Sequence, residues 1–346
     1  MFVTKSEHLG FLAVTLVTGG NLVQRRMIEL FGISFMNKPK IVVSLTNNDN
    51  DYQIEQARAS EDAAKRLGVD LEVIYADNDS ITQSQQLLQL IQSRSASHPD
   101  GVIFEPTGGT ALPQVARAAA AAGIGWGVLN RDAEYLGDIR KAFRVPAFCI
   151  TSDHEEIGRI QGRQFATLLP RGGSVLYIQG PSESLAAKQR TSGMYETKPV
   201  EVQIKLMKAQ WTEVSAQKVV QSWLRLSTSQ QTTVDVVAAQ DDSMVMGARK
   251  AFQAVMDTTA RDRWLSLPFL GCDGLPESGQ AWVRKGLLTA TVYVPPNAGT
   301  AIEMMVHALQ TGNMPQTHTL TTPESFPTLE KLALLHPGRR AFSAFS

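Results

Sequence analysis

The stretch Trp126-Gly127-Val128-Leu129-Asn130-Arg131-Asp132 decides how this chain is interpreted. Its first four residues are typical of a short buried strand, and an amide, a guanidinium and a carboxylate follow at once. In a doubly wound α/β sheet, ligands bind just beyond the carboxyl ends of the strands. The polar triplet is therefore either a solvated turn or part of a recognition site. The rest of the sequence has to distinguish between these two interpretations.

Strand-like and helix-like stretches alternate before this triplet. The pairs are 41–45 with 52–67, 70–75 with 80–93, and 101–104 with 112–122. Such alternation with short connections predicts a parallel sheet with right-handed crossovers. The charged segment 133–145 contains Gly137 and ends at Pro146, and we interpret it as a break between two units.

The alternation restarts after the break. The later pairs are 147–151 with 155–169, 174–178 with 184–195, 202–208 with 214–226, 234–238 with 243–255, and 269–272 with 276–285. A strand at 288–294, a helix at 297–311 and an extended piece at 317–322 follow, and Pro295-Pro296 marks a crossing between lobes because neither proline can donate to a sheet. The predicted fold class is α/β, with two similar doubly wound parallel-sheet lobes and a cleft between them.

Composition narrows the function classes. The 346 residues suit two domains of ordinary size. Lys+Arg and Asp+Glu both number 33, giving a formal net charge of zero without a basic stripe, so we expect no nucleic-acid partner. Cys149 and Cys272 lie beside apolar strand-like residues and form no metal spacing, which predicts small buried side chains. The histidines are scattered, and we expect no metal and no cofactor.

Residues 1–37 do not fit the repeating pattern and are interpreted as an N-terminal extension. The apolar run 10–17 is similar to the middle of a signal peptide, but only Lys5 precedes it as a basic residue and no clear cleavage site follows. The run is far shorter than the ~20 residues that span a bilayer. A degenerate export signal and a mis-set start both remain open.

Enzyme motifs are missing from the sequence. No phosphate loop, nucleophile elbow or H-E-x-x-H motif occurs, and the glycines 123–127 precede a strand instead of following one. His154-Glu155-Glu156 resembles catalytic chemistry, but Asp153 is a good N-cap and acidic residues favour the first turn of a helix. We therefore expect a protein that is not an enzyme.

Polar and aromatic side chains recur where the predicted strands end. These positions include Asn50, Tyr52, Asn130, Arg131, Ser152, Arg190, Trp211, Asp241 and Asp273. Carboxylates, amides and guanidinium forks can bind vicinal hydroxyls in pairs. Tyr52 and Trp211 can cover the C–H faces of a sugar ring. This balanced set predicts a neutral sugar or polyol as ligand.

These residues resemble the type I periplasmic binding proteins of sugar ABC transporters, in particular the ribose-binding group. The resemblance covers roughly residues 38 to 325 and depends on several short motifs in one order. The motifs are Asn50-Asp51-Tyr52, Pro106-Thr107, Asn130-Arg131, Thr151-Ser152-Asp153, Gln179-Gly180, residues 186–194 (AAKQRTSGM), residues 241–248 (DDSMVMGA) and Gly271-Cys272-Asp273-Gly274. Each motif is short, but their joint occurrence is specific.

The resemblance implies a role for each predicted site residue. Tyr52 and Trp211 would sandwich the sugar ring. The residues implied to bind its hydroxyls are Asn130, Arg131, Arg190, Asp241 and Asp273, with Asn50 and Ser152 also in the site. Four departures leave the sugar open and allow a cyclitol or another polyol: Asn130 replaces a family Asp, Asp241 stands where Asn is common, Gln53 replaces an aromatic, and Val294 lies near a usually polar position.

The resemblance also implies an organisation and a mechanism. It is a type I fold whose lobes are joined by a three-crossover hinge, near Ser152-Asp153, Val294-Pro295 and Thr321-Thr322. The expected lobes are 38–152 with 295–320 and 153–294 with 321–338, followed by a tail at 339–346. Hinge closure would capture the ligand for an ABC permease. We expect a monomer in the periplasm or cell envelope, although the unconvincing signal peptide leaves a cytoplasmic location open.

Two other classes compete with this interpretation. A ligand-sensing domain like that of the lac repressor shares the fold, but residues 1–36 lack the pattern of a helix-turn-helix. A sensor that feeds a signalling partner without touching DNA stays open as the alternative. A two-lobed enzyme is disfavoured because the sequence offers no nucleophile or cofactor loop.

Overall fold

The structure is a computed structural model that describes residues 38–336 except 49, 94–97, 108–110, 228 and 230–231. The predicted extension 1–37 and the tail 339–346 therefore lie outside the described residues. No helix in the described part of the chain combines the length and apolarity needed to cross a membrane.

The first half of the chain alternates strands with helices, as its pattern predicts. Its elements are β1 (Lys40–Leu45), α1 (Asp51–Leu67), β2 (Asp70–Tyr75), α2 (Ser80–Gln92), β3 (Gly101–Phe104), α3 (Pro113–Ala121), β4 (Gly125–Leu129), α4 (Leu136–Phe143) and β5 (Ala147–Ser152).

The second half repeats this alternation. Its elements are α5 (His154–Leu168), β6 (Gly173–Gln179), α6 (Leu185–Thr197), β7 (Val202–Lys208), α7 (Glu213–Leu224), β8 (Val236–Ala239), α8 (Asp242–Gln253), α9 (Thr258–Leu265), β9 (Phe269–Leu270) and α10 (Gly279–Arg284). The chain then continues through β10 (Thr291–Tyr293), α11 (Ala298–Thr311), β11 (His318–Thr321), β12 (Glu324–Phe326) and α12 (Leu329–Leu335).

The strands form two parallel sheets and one antiparallel pair. The six-stranded sheet has the order β11-β5-β4-β3-β1-β2, and the four-stranded sheet has the order β7-β6-β8-β9. Strands β10 and β12 pair antiparallel to each other. The predicted α/β class with two parallel-sheet lobes is confirmed.

Each parallel sheet is covered on both faces, which explains the continuous apolar strands. In β1, Val42 packs with the residues of α2 and α3 on one face, whereas Ile41 and Val43 pack with α1 and α11 on the other. The four-stranded sheet behaves in the same way, with Ile178 and Tyr177 on opposite faces. A strand that is buried on both faces is a nearly continuous apolar run.

Four elements differ from the sequence prediction, and one of them is strand β12, which was not predicted. The segment 133–145 is not a plain break, because α4 forms there and buries Leu136 and Ile139, three residues apart, while Asp138 and Lys141 are exposed. Helices α9 and α12 were also missed. Both are short, with eight and seven residues, so neither offers a long hydrophobic period to detect.

The chain passes between the two sheets three times. Strand β5 of the six-stranded sheet ends at Ser152. Only Asp153 separates it from α5, which contributes to the other core. Helix α11 follows β10 and packs against α1. Strand β11 pairs with β5, and β12 then returns to β10. The exact lobe bounds remain a prediction.

Candidate functional site

A cleft of about 1060 Å³ lies beyond the carboxyl ends of both parallel sheets. It brings together every residue that the sequence predicted for ligand binding. These are Asn50, Tyr52, Asn130, Arg131, Ser152, Arg190, Trp211, Asp241 and Asp273. Their roles toward a ligand remain predictions, but their proximity is a feature of the fold.

Asn50 and Tyr52 enter the cleft at the start of α1. The side chain of Asn50 caps this helix by accepting from the Tyr52 amide at 2.9 Å and the Gln53 amide at 3.4 Å. The Tyr52 hydroxyl donates to the carbonyl of Pro295 at 3.4 Å. Burial, followed by the charges of Glu105 and Asp273, raises the pKa of Tyr52, which keeps the phenol neutral.

Asn130 is held in one orientation at the end of β4. Its φ of 54° is in the left-handed region, which asparagine tolerates better than most residues. Its side-chain oxygen accepts from Asn297 Nδ2 at 2.7 Å. Asn297 is in turn fixed by Gln56, whose Nε2 donates to Asn297 Oδ1 at 2.8 Å. With its oxygen occupied, Asn130 directs its amide group toward Glu105, to which it is a hydrogen-bond donor.

Glu105 is a site residue that sequence reasoning missed. It lines the cleft directly after β3, and its Oε2 accepts from Gln53 Nε2 at 2.9 Å. Burial raises the pKa of this carboxyl, while hydrogen bonds from Gln53 and Asn130 oppose the rise. The sequence did contain a signal for Glu105, because this residue directly follows a predicted strand, as the predicted site residues do. We call Gln53, Gln56, Glu105, Asn130 and Asn297 the amide network.

Arg190 on α6 is the centre of the opposite wall. Its guanidinium is buried, donates to the carbonyl of Gln240, and lies 3.9 Å from Asp273 Oδ1. The guanidinium also lies 5.5 Å from the centroid of the Trp211 ring. These contacts fix the fork without consuming all of its donors. We call Arg190, Asp241 and Asp273 the charge cluster.

The two carboxylates of the charge cluster depend on Arg190. Asp241 caps α8 by accepting from the Met244 amide, and burial raises its pKa while this bond and Arg190 oppose the rise. Asp273 behaves alike: burial raises its pKa, and Arg190 opposes the rise. Both groups can form hydrogen bonds with hydroxyls, and Arg190 favours their ionised forms over their neutral ones.

Asp242, beside Asp241, has a structural role. Its carboxylate accepts from Thr291 Oγ1 and from the Gly274 amide, both at 2.8 Å. A Cβ at Gly271 or Gly279 would lie 1.9 or 2.0 Å from this carboxylate. The carboxylate thus fixes the loop that carries Asp273, and the two glycines leave room for it.

Trp211 is placed by an unusual backbone and by a neighbouring glycine. Its φ is 56°, and a Cβ at Gly180 would lie 2.3 Å from the indole ring. The Gln179-Gly180 motif therefore admits the ring against the end of β6. Ser152 is buried on the opposite side of the cleft, where its hydroxyl accepts from Thr321 Oγ1 at 3.5 Å.

His154 also lines the cleft, although sequence reasoning assigned it only to a helix start. The predicted cap is present, because Asp153 accepts from the Glu156 amide at 2.9 Å. The imidazole is nevertheless directed into the site, where Arg190 Nε donates to its Nδ1 at 3.4 Å. Burial first, and then Arg190, lowers the pKa of His154 to about 3.

One group of metal-ligand types lies among the described residues. Asp132, Cys149 and His318 place their ligand atoms within 4.8 Å of one another, outside the cleft lining. Burial and Asp132 raise the pKa of the Cys149 thiol to about 12, so the thiol holds its proton at neutral pH. We assign no metal to this group. Cys149 and Cys272 are buried and free, as predicted.

Comparisons with known proteins agree with this geometry. Residues 41–314 match the model of the periplasmic binding protein domain family. The chain is 28% identical over 281 residues to the D-allose-binding periplasmic protein of Escherichia coli (strain K12), covering 79% of this chain and 85% of that protein. It is 29% identical over 223 residues to a putative rhizopine-binding protein of Rhizobium meliloti, covering 62% and 67%.

Solved structures share the fold. The Caulobacter myo-inositol binding protein, bound to myo-inositol, superposes with a TM-score of 0.70 at 22% identity, covering 87% of this chain and 97% of that chain. A periplasmic solute binding protein of an ABC transporter from Actinobacillus succinogenes 130z, with bound D-allose, gives a TM-score of 0.71 at 20% identity, covering 85% and 99%.

Proposed function

Because the chain belongs to the periplasmic binding protein domain family, we propose that its cleft captures a neutral sugar or a similar polyol for delivery to an ABC permease. The family is one of solute-binding proteins, and the relatives named above bind D-allose and myo-inositol. The observation that carries the proposal is the meeting of amides, carboxylates, guanidiniums and two aromatic rings in one cleft.

The charges of the cleft disfavour an anionic ligand. Arg131 and Arg190 line it together with five acidic residues, which are Glu105, Glu183, Glu213, Asp241 and Asp273, so acidic groups outnumber the guanidiniums. A hydroxyl group both donates and accepts, and it can bridge a carboxylate and a guanidinium. An anionic ligand would have to lie against these acidic groups, and a bulky apolar ligand would leave them without hydrogen-bond partners.

Capture works through binding and closure, with no bond made or broken. The three passages between the sheets allow the lobes to close over the ligand about a hinge. Ligand contacts from both walls stabilise the closed form more than the open one, which shifts the population toward closure. The permease then recognises the surface of the closed form. The protein acts as a monomer in the periplasm.

A thermal-shift panel tests the proposal directly. D-Allose, D-ribose and myo-inositol are the polyols to test, with inorganic phosphate and sulfate as anionic controls. A ligand at 100 times its Kd should stabilise the folded chain by about 2.7 kcal/mol. A melting temperature raised by an anion and by none of the polyols would contradict the proposed ligand class.

Location is tested separately from binding. We expect the full-length protein to be exported, because its relatives are periplasmic proteins. Fusing residues 1–40 to a reporter that is active only after export measures this, with the same reporter lacking the fusion as the control. A silent reporter would instead favour a role in the cytoplasm.

A further inference from the structure

His154 occupies a particular position in the cleft. It is the first residue of α5 and follows the passage from Ser152 out of the six-stranded sheet. Its side chain is 9% exposed. The ring lies in the fields of Arg190 from one wall and Arg131 from the other. It thus stands where the two walls of the cleft meet.

The contact with Arg190 fixes which nitrogen of His154 carries the proton. Arg190 Nε can only donate, and it donates to Nδ1 at 3.4 Å. A neutral imidazole that accepts at Nδ1 carries its hydrogen on Nε2. Burial and the two guanidiniums lower the pKa of His154 to about 3, so this neutral form persists at ordinary pH.

The Nε2–H group of His154 lacks a partner. The atom is buried and makes no hydrogen bond to any residue that the structure describes. The backbone carbonyl of Asn130 is close enough to oppose the lowering of the pKa, but it does not meet the geometry of a hydrogen bond. Unpaired buried donors are rare because they are costly, and one that lines a binding cleft points to a ligand atom.

We propose that His154 determines specificity in this cleft by donating a hydrogen bond from Nε2–H to one oxygen of the bound polyol. The inference depends on the proposed function, since it assigns a contact within the same site. A hydroxyl oxygen that accepts from His154 still has its proton to donate to a cleft carboxylate. His154 therefore selects a hydroxyl at one ring position and in one orientation.

Two variants separate this contact from a structural role. His154→Asn keeps an acceptor near the position of Nδ1 for Arg190 but has no donor near Nε2. His154→Gln places an amide donor near Nε2 and lacks the acceptor for Arg190. Titration calorimetry with D-allose, D-ribose and myo-inositol, each in turn, should show affinity about tenfold or more weaker in His154→Asn and within about threefold of wild type in His154→Gln.

Each other outcome overturns the inference. Equal affinity in wild type and both variants excludes a contact, and an equal loss in both variants indicates a packing role. A loss of affinity in His154→Gln alone makes His154 a positioning residue for Arg190.

Failure of the proposed function gives a different result from failure of this inference. A wild-type chain that binds none of the three polyols contradicts the proposed function as well, whereas wild-type binding with unaffected variants overturns this inference alone. His307→Asn, at an exposed site on α11, is the matched control.

The wild-type protein gives an independent measurement if the variants fold poorly. In nitrogen-15 imidazole spectra, His154 should show a protonated Nε2 and an unprotonated Nδ1. The Nε2 proton resonance should move on addition of the polyol that binds. The opposite tautomer, or an unmoved resonance at saturation, would overturn the proposal.

Discussion

The side chains of the two walls of the cleft are held in place by different interactions. On one wall, the amide network surrounds a single carboxylate, Glu105, with neutral side chains that hold one another in place. On the other wall, the charge cluster sets the buried carboxyl of Asp241 and the partly buried carboxyl of Asp273 against one guanidinium. The first wall is fixed by hydrogen-bond direction, and the second by charge balance.

This difference predicts how a substitution in each wall affects stability. Removing one amide from the network leaves one or two polar atoms unpaired, a local cost. Removing the guanidinium leaves the buried Asp241 and the partly buried Asp273 without their counter-charge, and a buried charge without a partner costs far more. The charge cluster should therefore be the more fragile wall, and the amide network the more adjustable one.

The largest expected effect is that of Arg190→Ala. Loss of the guanidinium should reduce the free energy of unfolding by about 3–5 kcal/mol, as for other broken buried pairs, and should weaken polyol binding by roughly 2 kcal/mol or more. Chemical denaturation and titration calorimetry measure the two effects. Arg66→Ala is the matched control, because Arg66 pairs with Glu303 at 2.5 Å on the surface and should contribute about 0–1 kcal/mol. Equal effects of the two substitutions would refute the fragility of this wall.

Trp211→Ala should come next and should act on binding more than on folding. The ring is half-buried beside Arg190, so its removal exposes one face of a bound polyol and frees the guanidinium. Binding should weaken by roughly 2 kcal/mol. Trp211→Phe keeps an aromatic face and should recover much of the loss. If calorimetry shows unchanged affinity in the alanine variant, the ligand does not stack on this ring.

Asn130→Asp tests the opposite wall with a smaller expected cost. The new carboxylate can still accept from Asn297, but it no longer donates to Glu105 and faces it as a second, partly buried acid. We expect a loss of about 1–3 kcal/mol in the free energy of unfolding at neutral pH. Adding Glu105→Gln should restore most of this stability, since an amide donor then faces the introduced carboxylate. A double variant no more stable than Asn130→Asp alone would exclude the coupling.

The fold and the family were predictable because they depend on repeated, local signals. Alternating apolar strands and capped helices predicted the parallel sheets, and the motifs predicted the family, both of which are confirmed. The position rule at strand ends selected nine residues that line the cleft, but it passed over Glu105 and His154, and the roles of the nine toward a ligand stay predictions. The position rule selects residues by their place after a strand, but it does not predict which side chains those residues will hydrogen-bond to.

The missed features depend on partners that are distant in the chain. Asn297 seemed only to begin a helix, yet it orients Asn130 from 167 residues away. His154 fitted the first turn of a capped helix so well that its ring was ignored, although Arg190 reaches it across 36 residues. Side-chain pairing across such separations is set by tertiary packing, which periodicity does not report.

The smallest prediction concerns the pH dependence contributed by His154, where the two walls meet. Its pKa falls from 6.5 to about 3 on folding, because burial and the guanidiniums disfavour the imidazolium. The unfolded chain therefore binds more protons between these values, and stability is fully present above pH 6.5 and declines as the pH falls toward 3. This contribution should cost the folded state about 1 kcal/mol at pH 5.5.

The variant His154→Gln tests this pH dependence because it removes the titrating group. The difference in unfolding free energy between wild type and this variant should change with pH over this range. The exposed control His307→Gln should follow the wild-type profile. Parallel profiles for wild type and His154→Gln would mean that the ring is not held neutral between the walls.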